Sequence, residues 1–404
     1  MHLAMATTNW TSAMPALPWA MSGMMPWKPD LAAEGRALAP LLNEAGVTAI
    51  GAAVAEEADT RLRELISGIY AYWHHPYRRR TRSRPVAWSE GSSRLDDYGR
   101  PAKGGDSRGT DAGLPALLVP SLVNRGYILD LMPERSFAGY LAKRGIRPLL
   151  LEWGAPGEAE AHFDLTAYIA RLERALAHVA ERSGRPVALV GYCMGGLLAL
   201  AVALRRPDLV SGLGLLATPW DFHAEHLWIP PFLAASTPIF ESTLQTLGHF
   251  PVDALQAGFA MLNPTLVPEK FRRFAALDPD SREARTFVAV EDWLNDGVPL
   301  AAGVARDCIM GWYRDNGPKL GQWRVAGQPV VPQALSRPSL VVIPAQDRIV
   351  PPASATALAD VLPRTIRITP QRGHIGMVVS GATVTEVGRP LTDWLLSLES
   401  PPGQ

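Results

Sequence analysis

One short stretch near the middle of the chain combines a strand pattern, a tight turn and a helix pattern. Residues 187–190, Val-Ala-Leu-Val, form an apolar run that is typical of a buried parallel strand. Residues 197–201 form a second apolar run, which reads as a helix. Between them, glycines stand two residues to either side of Cys193. Because such glycines let strand and helix backbones approach closely, we expect Cys193 to occupy a strained turn between the two elements.

This spacing is the nucleophile elbow of the α/β-hydrolase fold, with Cys in place of the usual Ser. The turn would place Cys193 at the N-terminus of the helix, where the helix dipole and the free N–H groups favour a thiolate. The backbone N–H of Met194 would then point into an oxyanion hole. The alternative is a buried structural cysteine in a Gly-rich turn, and the flanking strand and helix argue against it.

Composition indicates a globular chain and excludes several classes of function. The 404 residues are 47% hydrophobic and 19% charged, so the chain can bury a large core. Its formal net charge is zero, and nothing therefore points to nucleic acid or to a strongly acidic partner. No uninterrupted apolar run is long enough for a membrane span.

Two cysteines, Cys193 and Cys308, do not make a disulfide framework. Because Cys193 is needed as a free thiol, we expect a cytoplasmic protein. Cys308 has no Gly-rich turn and no base beside it in the sequence. We expect it to be a packing residue.

Short apolar strands alternate with helical patterns along much of the chain, which predicts the α/β class. We expect an α/β-hydrolase fold with a mostly parallel sheet, helices on both faces and an inserted cap. The predicted division is an N-terminal tail and helical segment at 1–85, a core at 86–222 and 331–404, and a cap at 223–330. The predicted strands lie at 86–98 (as a hairpin), 115–120, 147–153, 187–190, 212–217, 339–343 and 364–369.

The strand–helix alternation breaks between residues 223 and 330. This stretch is rich in Pro, Trp and Phe, with Trp228, Phe232, Phe271 and Trp312 among them. An insert of this length after the elbow predicts a lid that covers the nucleophile and excludes water. The alternative is that these aromatic residues are plain core.

Two further residues complete a candidate triad with Cys193. Asp347 follows the predicted strand at 339–343, and His374 follows the one at 364–369. The order nucleophile, acid, histidine is that of the α/β-hydrolases. We expect His374 to take the thiol proton and Asp347 to fix the tautomer of the imidazole.

The remaining site residues are less closely defined by the sequence. In this fold the loop after the strand at 115–120 donates the second oxyanion N–H. We assign that role to Val123, with Leu122 as its rival. His223 and His226 are alternative bases, but they lie in the cap, where no triad histidine is expected.

Six segments resemble the polyhydroxyalkanoate (PHA) synthases, and the resemblance runs from about 115 to 395. The length is closest to that of the catalytic subunit of the two-subunit synthases. The segments are Leu118-Val-Pro-Ser-Leu-Val-Asn-Arg-Gly-Tyr-Ile-Leu-Asp-Leu131, Gly191-Tyr-Cys-Met-Gly-Gly196, Leu215-Leu-Ala-Thr-Pro-Trp-Asp-Phe222, Met310-Gly-Trp-Tyr-Arg-Asp-Asn316, Ala345-Gln-Asp-Arg-Ile-Val350 and Gly373-His-Ile-Gly376.

The resemblance implies an acyltransferase that polymerises (R)-3-hydroxyacyl-CoA and releases CoA. Cys193 would carry the growing chain as a thioester, and His374, supported by Asp347, would activate Cys193 or the incoming hydroxyl. The CoA thioester is the substrate, and no metal or other cofactor is expected. The implied partners are the polyester chain, a second synthase subunit or a second copy, and the surface of a PHA granule.

The residues themselves are compatible with two other functions. The first is a Cys-dependent hydrolase on the same scaffold, either an acyl-CoA thioesterase or an intracellular PHA depolymerase. The second is a granule-bound structural protein with a vestigial site. Whether water reaches the thioester distinguishes the synthase from the hydrolase.

Overall fold

The computed structural model describes residues 10–80, 83–99, 113–225 and 227–398. The chain divides into two compact units. Unit 1 consists of Met1–Arg78 and Gly258–Val288, and unit 2 of Arg79–Ala257 and Ala289–Gln404. The division predicted from the sequence, with a cap at 223–330, stays a prediction.

The helices and strands are as follows. The central sheet contains β1 (Val86–Glu90), β2 (Ser93–Asp97), β3 (Leu114–Val119), β4 (Ile146–Glu152), β5 (Val187–Tyr192), β6 (Val210–Leu216), β7 (Ser339–Val342) and β8 (Thr365–Ile368). Short strands pair outside it: Asp130–Met132 with Arg135–Ser136, His249–Phe250 with Leu300–Ala301, and Arg324–Val325 with Gln328–Pro329. The α-helices are α1 (Ala13–Met21), α2 (Ala32–Ala45), α3 (Val47–His74), α4 (Phe137–Ala142), α5 (Leu165–Ser183), α6 (Met194–Arg205), α7 (Ile229–Leu247), α8 (Val252–Leu262), α9 (Leu266–Ala275), α10 (Arg282–Asn295), α11 (Ala302–Ala305), α12 (Pro352–Ala359), α13 (Gly376–Val379) and α14 (Arg389–Ser397). Segments Arg306–Arg314 and Val384–Gly388 are π-helical, and Gly126–Leu129, Glu158–Glu160 and Pro332–Ala334 are 3-10 turns.

The eight-stranded sheet confirms the predicted α/β architecture. Its order is β1-β2-β4-β3-β5-β6-β7-β8. The pairs β1–β2 and β2–β4 are antiparallel, and every later pair is parallel. Strands β3 and β5 are buried at every residue, as expected for parallel strands covered on both faces. The predicted hairpin at 86–98 corresponds to β1 and β2, and each of the other predicted strands corresponds to one strand of the sheet.

Helices cover both faces of the sheet. Leu213 and Leu215 of β6 belong to the core cluster that contains the buried side chains of α5 and α6. A Cβ added to Gly214, which lies between them, would contact Leu391 of α14 at 3.5 Å. Because successive residues of a strand point to opposite faces, α14 covers the face away from α5 and α6.

Close backbone packing holds α6 against the strands beside it. A Cβ on Gly191 would lie 2.3 Å from the Cα of Gly196, and a Cβ on Gly195 would lie 2.1 Å from the carbonyl oxygen of Val119. A Cβ on Gly196 would lie within 2.0 Å of Thr218, at 1.9 Å from its hydroxyl oxygen. The predicted need for glycine at 191 and 195 therefore has a steric cause, and Gly196 adds a third contact.

Unit 1 is helical in the residues that the structure describes. Helix α3 packs against α9, where Leu65 and Phe271 are buried together and the backbone of Phe271 leaves no room for a side chain at Gly68. The stacked rings of Phe274 and Phe287, 4.3 Å apart, extend this packing. Part of the expected N-terminal tail is ordered as α1, because residues 13–21 form a helix.

No single helix among the described residues is long and apolar enough to cross a bilayer. Helices α2 and α3 reach that length and apolar composition only when taken together, and they are bent by 109° at the break between them.

Replacing Gly195 by Ala should lower the free energy of unfolding by about 1–3 kcal/mol, because the added methyl group would meet a backbone carbonyl that cannot move aside easily. Gly258 in α8 is the matched control, since a Cβ there meets nothing within 4 Å. Gly258→Ala should stabilise by about 0.5–1 kcal/mol, the usual gain in helix propensity. Urea unfolding of both variants measures the difference, and equal stabilities would contradict the steric account.

Candidate active site

The structure places Cys193 in the turn between β5 and α6, as predicted. Its backbone has φ 55° and ψ −129°, a left-handed conformation that is strained for any residue other than glycine. Its N–H donates to the carbonyl of Leu216 at 2.8 Å, and its carbonyl accepts from the N–H of Gly196 at 2.9 Å. The side chain is partly buried. The strand and the helix thus fix the turn from both sides and hold the thiol at the end of the sheet.

Asp347 and His374 follow adjacent parallel strands, β7 and β8, and the structure brings them into contact. The Nδ1 of His374 donates to Oδ2 of Asp347 at 2.7 Å. The other carboxylate oxygen accepts the N–H groups of Ile349 and Val350, both at 2.9 Å. The loop of Asp347 therefore orients one carboxylate oxygen, and His374 in the loop after β8 engages the other.

The side chain of Cys193 lies close enough to His374 to raise the pKa of the imidazole. Since Nδ1 is committed to the carboxylate, Nε2 is the ring nitrogen left to face the sulfur. The three residues predicted as a triad therefore lie together in the order Cys193, His374, Asp347. Their catalytic roles stay predictions.

The electrostatics of this cluster favour the charged imidazole. Burial by itself lowers the pKa of His374, but the carboxylate of Asp347 and the sulfur of Cys193 outweigh it and raise the pKa to about 10. A protonated imidazole beside the sulfur stabilises negative charge on it. The hydroxyl of Tyr192 adds a contact to the carbonyl of His374 at 3.3 Å, which helps to hold the histidine loop.

The two predicted oxyanion donors differ in their surroundings. Met194 is the first residue of α6, so its N–H has no acceptor within the helix. The N–H of Val123 donates to the hydroxyl of Ser121 at 3.2 Å, and the carbonyl of Val123 accepts from the N–H of Val298 at 2.9 Å. An oxyanion would have to compete with the Ser121 hydroxyl for that N–H. The assignment of Val123, with Leu122 as its rival, stays a prediction.

The alternative bases do not join the cluster where the structure describes them. The Nε2 of His223 donates to the carbonyl of Arg314 at 3.1 Å, and its backbone N–H donates to Asp221. His226 lies outside the described residues. Cys308 is buried, and burial raises the pKa of its thiol well above the ordinary value, with the charge of Asp307 adding to the effect.

Sequence reasoning did not single out Tyr313, which the structure brings to the site. It lies in the π-helical segment Arg306–Arg314, and such segments are frequent at functional sites. Burial raises the pKa of the Tyr313 phenol, and the charges of Cys193, Cys308 and Asp347 add to the effect. The sequence shows the motif at residues 310–316, but it does not show where the motif lies in the fold.

A side-chain clamp holds Tyr313 in place. The amide of Asn316 accepts the N–H of Phe222 at 2.9 Å and donates to the carboxylate of Asp221, also at 2.9 Å. The ring of Phe222 then packs edge-on against Tyr313, with 4.8 Å between the ring centres. The loop after β6 is thereby tied to the π-helical segment.

Comparisons with known proteins give a consistent result. Residues 117–380 match a family with the alpha/beta hydrolase fold. The chain is 30% identical over 292 residues to the poly(3-hydroxyalkanoate) polymerase subunit PhaC of Synechocystis sp., covering 70% of this chain and 77% of that protein. The PhaC subunit of Allochromatium vinosum is 29% identical over 315 residues, or 77% of this chain and 87% of that protein. The PhaC subunit of Haloferax mediterranei is 29% identical over 291 residues, which are 70% of this chain but only 59% of that longer protein.

Replacing Asp347 by Asn should lower the pKa of His374 from about 10, because the carboxylate is the larger of the two groups that raise it. Nuclear magnetic resonance of labelled histidine between pH 5 and 11 measures this, with His374→Gln identifying the signal. Asp360→Asn is the control, since that carboxylate pairs with Arg367 at 2.7 Å instead. An unchanged titration in Asp347→Asn would contradict the assignment.

The same shift has a defined effect on stability. Because the pKa in the folded protein lies above the unfolded value of about 6.5, His374 contributes its full stabilisation below pH 6.5 and loses it as the pH rises through 10. The difference in unfolding free energy between the wild type and Asp347→Asn should therefore shrink as the pH rises over that window.

Proposed function

Because this chain belongs to the poly(3-hydroxyalkanoate) polymerase family, on an α/β-hydrolase fold, we propose that it polymerises (R)-3-hydroxyacyl-CoA through a thioester on Cys193. The observation that carries the proposal is the contact of Cys193, on its elbow, with the His374–Asp347 pair. This is the arrangement that activates a thiol nucleophile. CoA thioesters and a polyester chain are the proposed partners, and a second subunit or second copy is proposed on the same basis, as is a cytoplasmic, granule-associated location.

The first half-reaction starts from the charged imidazole of His374, which already holds the proton of the Cys193 thiol and leaves the sulfur as a thiolate. The sulfur attacks the carbonyl carbon of the acyl-CoA, and the Met194 N–H stabilises the oxyanion that forms. The bond between that carbon and the CoA sulfur then breaks. CoA leaves with the proton held by His374, and the acyl group remains on Cys193 as a thioester.

In the second half-reaction, the hydroxyl of another 3-hydroxyacyl unit attacks the thioester carbon. Its proton passes to His374, an ester C–O bond forms and the bond to the Cys193 sulfur breaks. The thiolate and the charged imidazole of His374 are thereby restored. If water attacks instead, the same steps release a free 3-hydroxy acid, and the enzyme is a hydrolase.

The surroundings of Cys193 support transfer to a hydroxyl over transfer to water. Val123, Ile309, Tyr313 and Ile349 are, like Cys193, partly buried apolar residues packed on one core cluster. Within unit 2, this cluster also includes buried side chains from the predicted cap, among them Phe240, Leu300 and Trp312. An apolar setting of this kind slows the loss of a thioester to water.

Replacing Cys193 by Ala should abolish CoA release from 3-hydroxybutyryl-CoA, and Cys193→Ser should leave little, since a hydroxyl is far less acidic than a thiol. Cys308→Ala is the matched control and should keep most of the activity, because that thiol is buried outside the triad. A thiol-reactive dye follows the release of CoA. Intact mass spectrometry should detect the acyl group on the wild type and on Cys308→Ala only. Substantial turnover by Cys193→Ala would overturn the nucleophile assignment.

The products separate synthase from hydrolase. We expect CoA release from 3-hydroxybutyryl-CoA to yield oligomer or polymer, after a lag if the lid must open or a partner subunit must bind. Mass analysis of the products, with and without a candidate partner subunit, measures this. Free 3-hydroxybutyrate as the sole product under both conditions would make the protein a thioesterase.

A further inference from the structure

Helix α7 exposes apolar side chains along its whole length. Phe232, Ile239 and Leu247 are exposed large hydrophobic residues of the helix, with Phe232 44% and Ile239 75% exposed, and Trp228 just before it is exposed as well. The same helix buries Ile229, Phe240 and Leu244. A contiguous set of exposed apolar side chains marks an interaction surface. We call the exposed set, together with Leu227 just before the helix, the α7 face.

Charge is nearly absent from this helix. Between residues 227 and 248, Glu241 is the single charged side chain. It is paired with Arg306 of the neighbouring π-helical segment at 2.8 Å. The surface therefore presents no unpaired charge from α7 itself to a partner.

Four hydroxyl groups of α7 are bonded to the backbone of the helix itself. The hydroxyl of Ser236 donates to the carbonyl of Phe232 at 2.8 Å, and that of Thr237 to Leu233 at 2.9 Å. Thr243 and Thr246 donate in the same way to Ile239 and Ser242, at 2.9 and 2.8 Å. These four hydroxyls therefore need no hydrogen bond from water.

A shallow groove runs along the C-terminal half of the α7 face. Its volume is about 490 Å³, and its lining is apolar or hydroxyl-bearing throughout: Pro238, Ile239, Ser242, Thr243, Thr246 and Leu247. The helix packs against the π-helical segment that carries Tyr313. The groove is thus part of an element that adjoins the Cys193 site in the same unit.

We propose that the α7 face is the surface on which the polyester product lies. The proposal rests on the proposed function, which makes a neutral polymer of methyl and ester groups. Such a chain offers apolar surface and no charge, and the α7 face matches it with apolar side chains and no unpaired charge. An anionic membrane would call for Lys or Arg beside the apolar face, and residues 227–248 contain none.

The test measures binding of the full chain to particles of poly(3-hydroxybutyrate) by co-sedimentation, without substrate. The double variant Phe232→Glu, Ile239→Glu introduces two charges at exposed positions of a helix. We expect it to bind about ten-fold more weakly than the wild type or worse, since two apolar side chains lose their contact. Ile366→Glu, at a position of β8 that is 52% exposed, is the matched control and should bind like the wild type.

Parallel measurements exclude other occupants of the α7 face. Light scattering without polymer should give the same mass for the wild type and the double variant, and vesicles of phosphatidylcholine should bind neither. The inference is overturned if the wild type does not bind the particles, if the double variant binds them equally well, or if vesicles compete equally. It is also overturned if the wild type is a dimer that the double variant dissociates, because a second copy would then cover the face.

Its failure is distinguishable from failure of the proposed function. Initial CoA release from soluble 3-hydroxybutyryl-CoA should be the same in the double variant and the wild type, because neither residue belongs to the triad. If the wild type released no CoA but bound polyester through the α7 face, the proposed reaction would be wrong and the proposed surface correct. If the wild type and the double variant released CoA and bound polyester alike, the proposed reaction would be supported and the proposed surface wrong.

Discussion

The close approach of two backbones at the Cys193 turn is the constraint on which the rest of the site depends. Gly191, Gly195 and Gly196 remove the side chains that would otherwise hold β5, α6 and their neighbours apart. Only with that spacing can Cys193 adopt its positive φ while its N–H bonds to Leu216 of the next strand. The strain of the turn is thereby balanced by packing on both sides, and the thiol is held at the end of a parallel sheet.

The parallel sheet supplies the partners of the thiol. Strands β7 and β8 are adjacent and run in the same direction, so the loops after their carboxyl ends meet. One carboxylate oxygen of Asp347 accepts hydrogen bonds from its own loop and the other accepts one from His374, which fixes the orientation of the imidazole. Charge then decides the protonation state, because the attraction of Asp347 and Cys193 exceeds the effect of burying the ring.

Apolar surface is used in two ways in unit 2. Around Cys193 it is packed inward, where the proposed acyl-thioester would be kept from water. Along α7 it is left exposed, with the hydroxyls bonded to the backbone and the one carboxylate paired. Both arrangements suit an enzyme whose product is an insoluble neutral polymer, and the proposed reaction and the proposed polyester surface thus have a common physical basis.

The sequence by itself determined the features that are local or periodic. Patterns within a few residues predict the strand, turn and helix around Cys193. They also predict the parallel strands along the chain and the positions of Asp347 and His374 after two of them. The apolar character of α7 was equally visible, but an aromatic-rich insert predicts a lid or core, and periodicity cannot say which side of an apolar helix is left uncovered. Only the tertiary structure decided that the α7 face is exposed, that Tyr313 approaches Cys193, and that the Val123 N–H is engaged by Ser121. Each of these depends on where segments distant in sequence, or a loop's own side chains, come to rest in space, which no local pattern encodes.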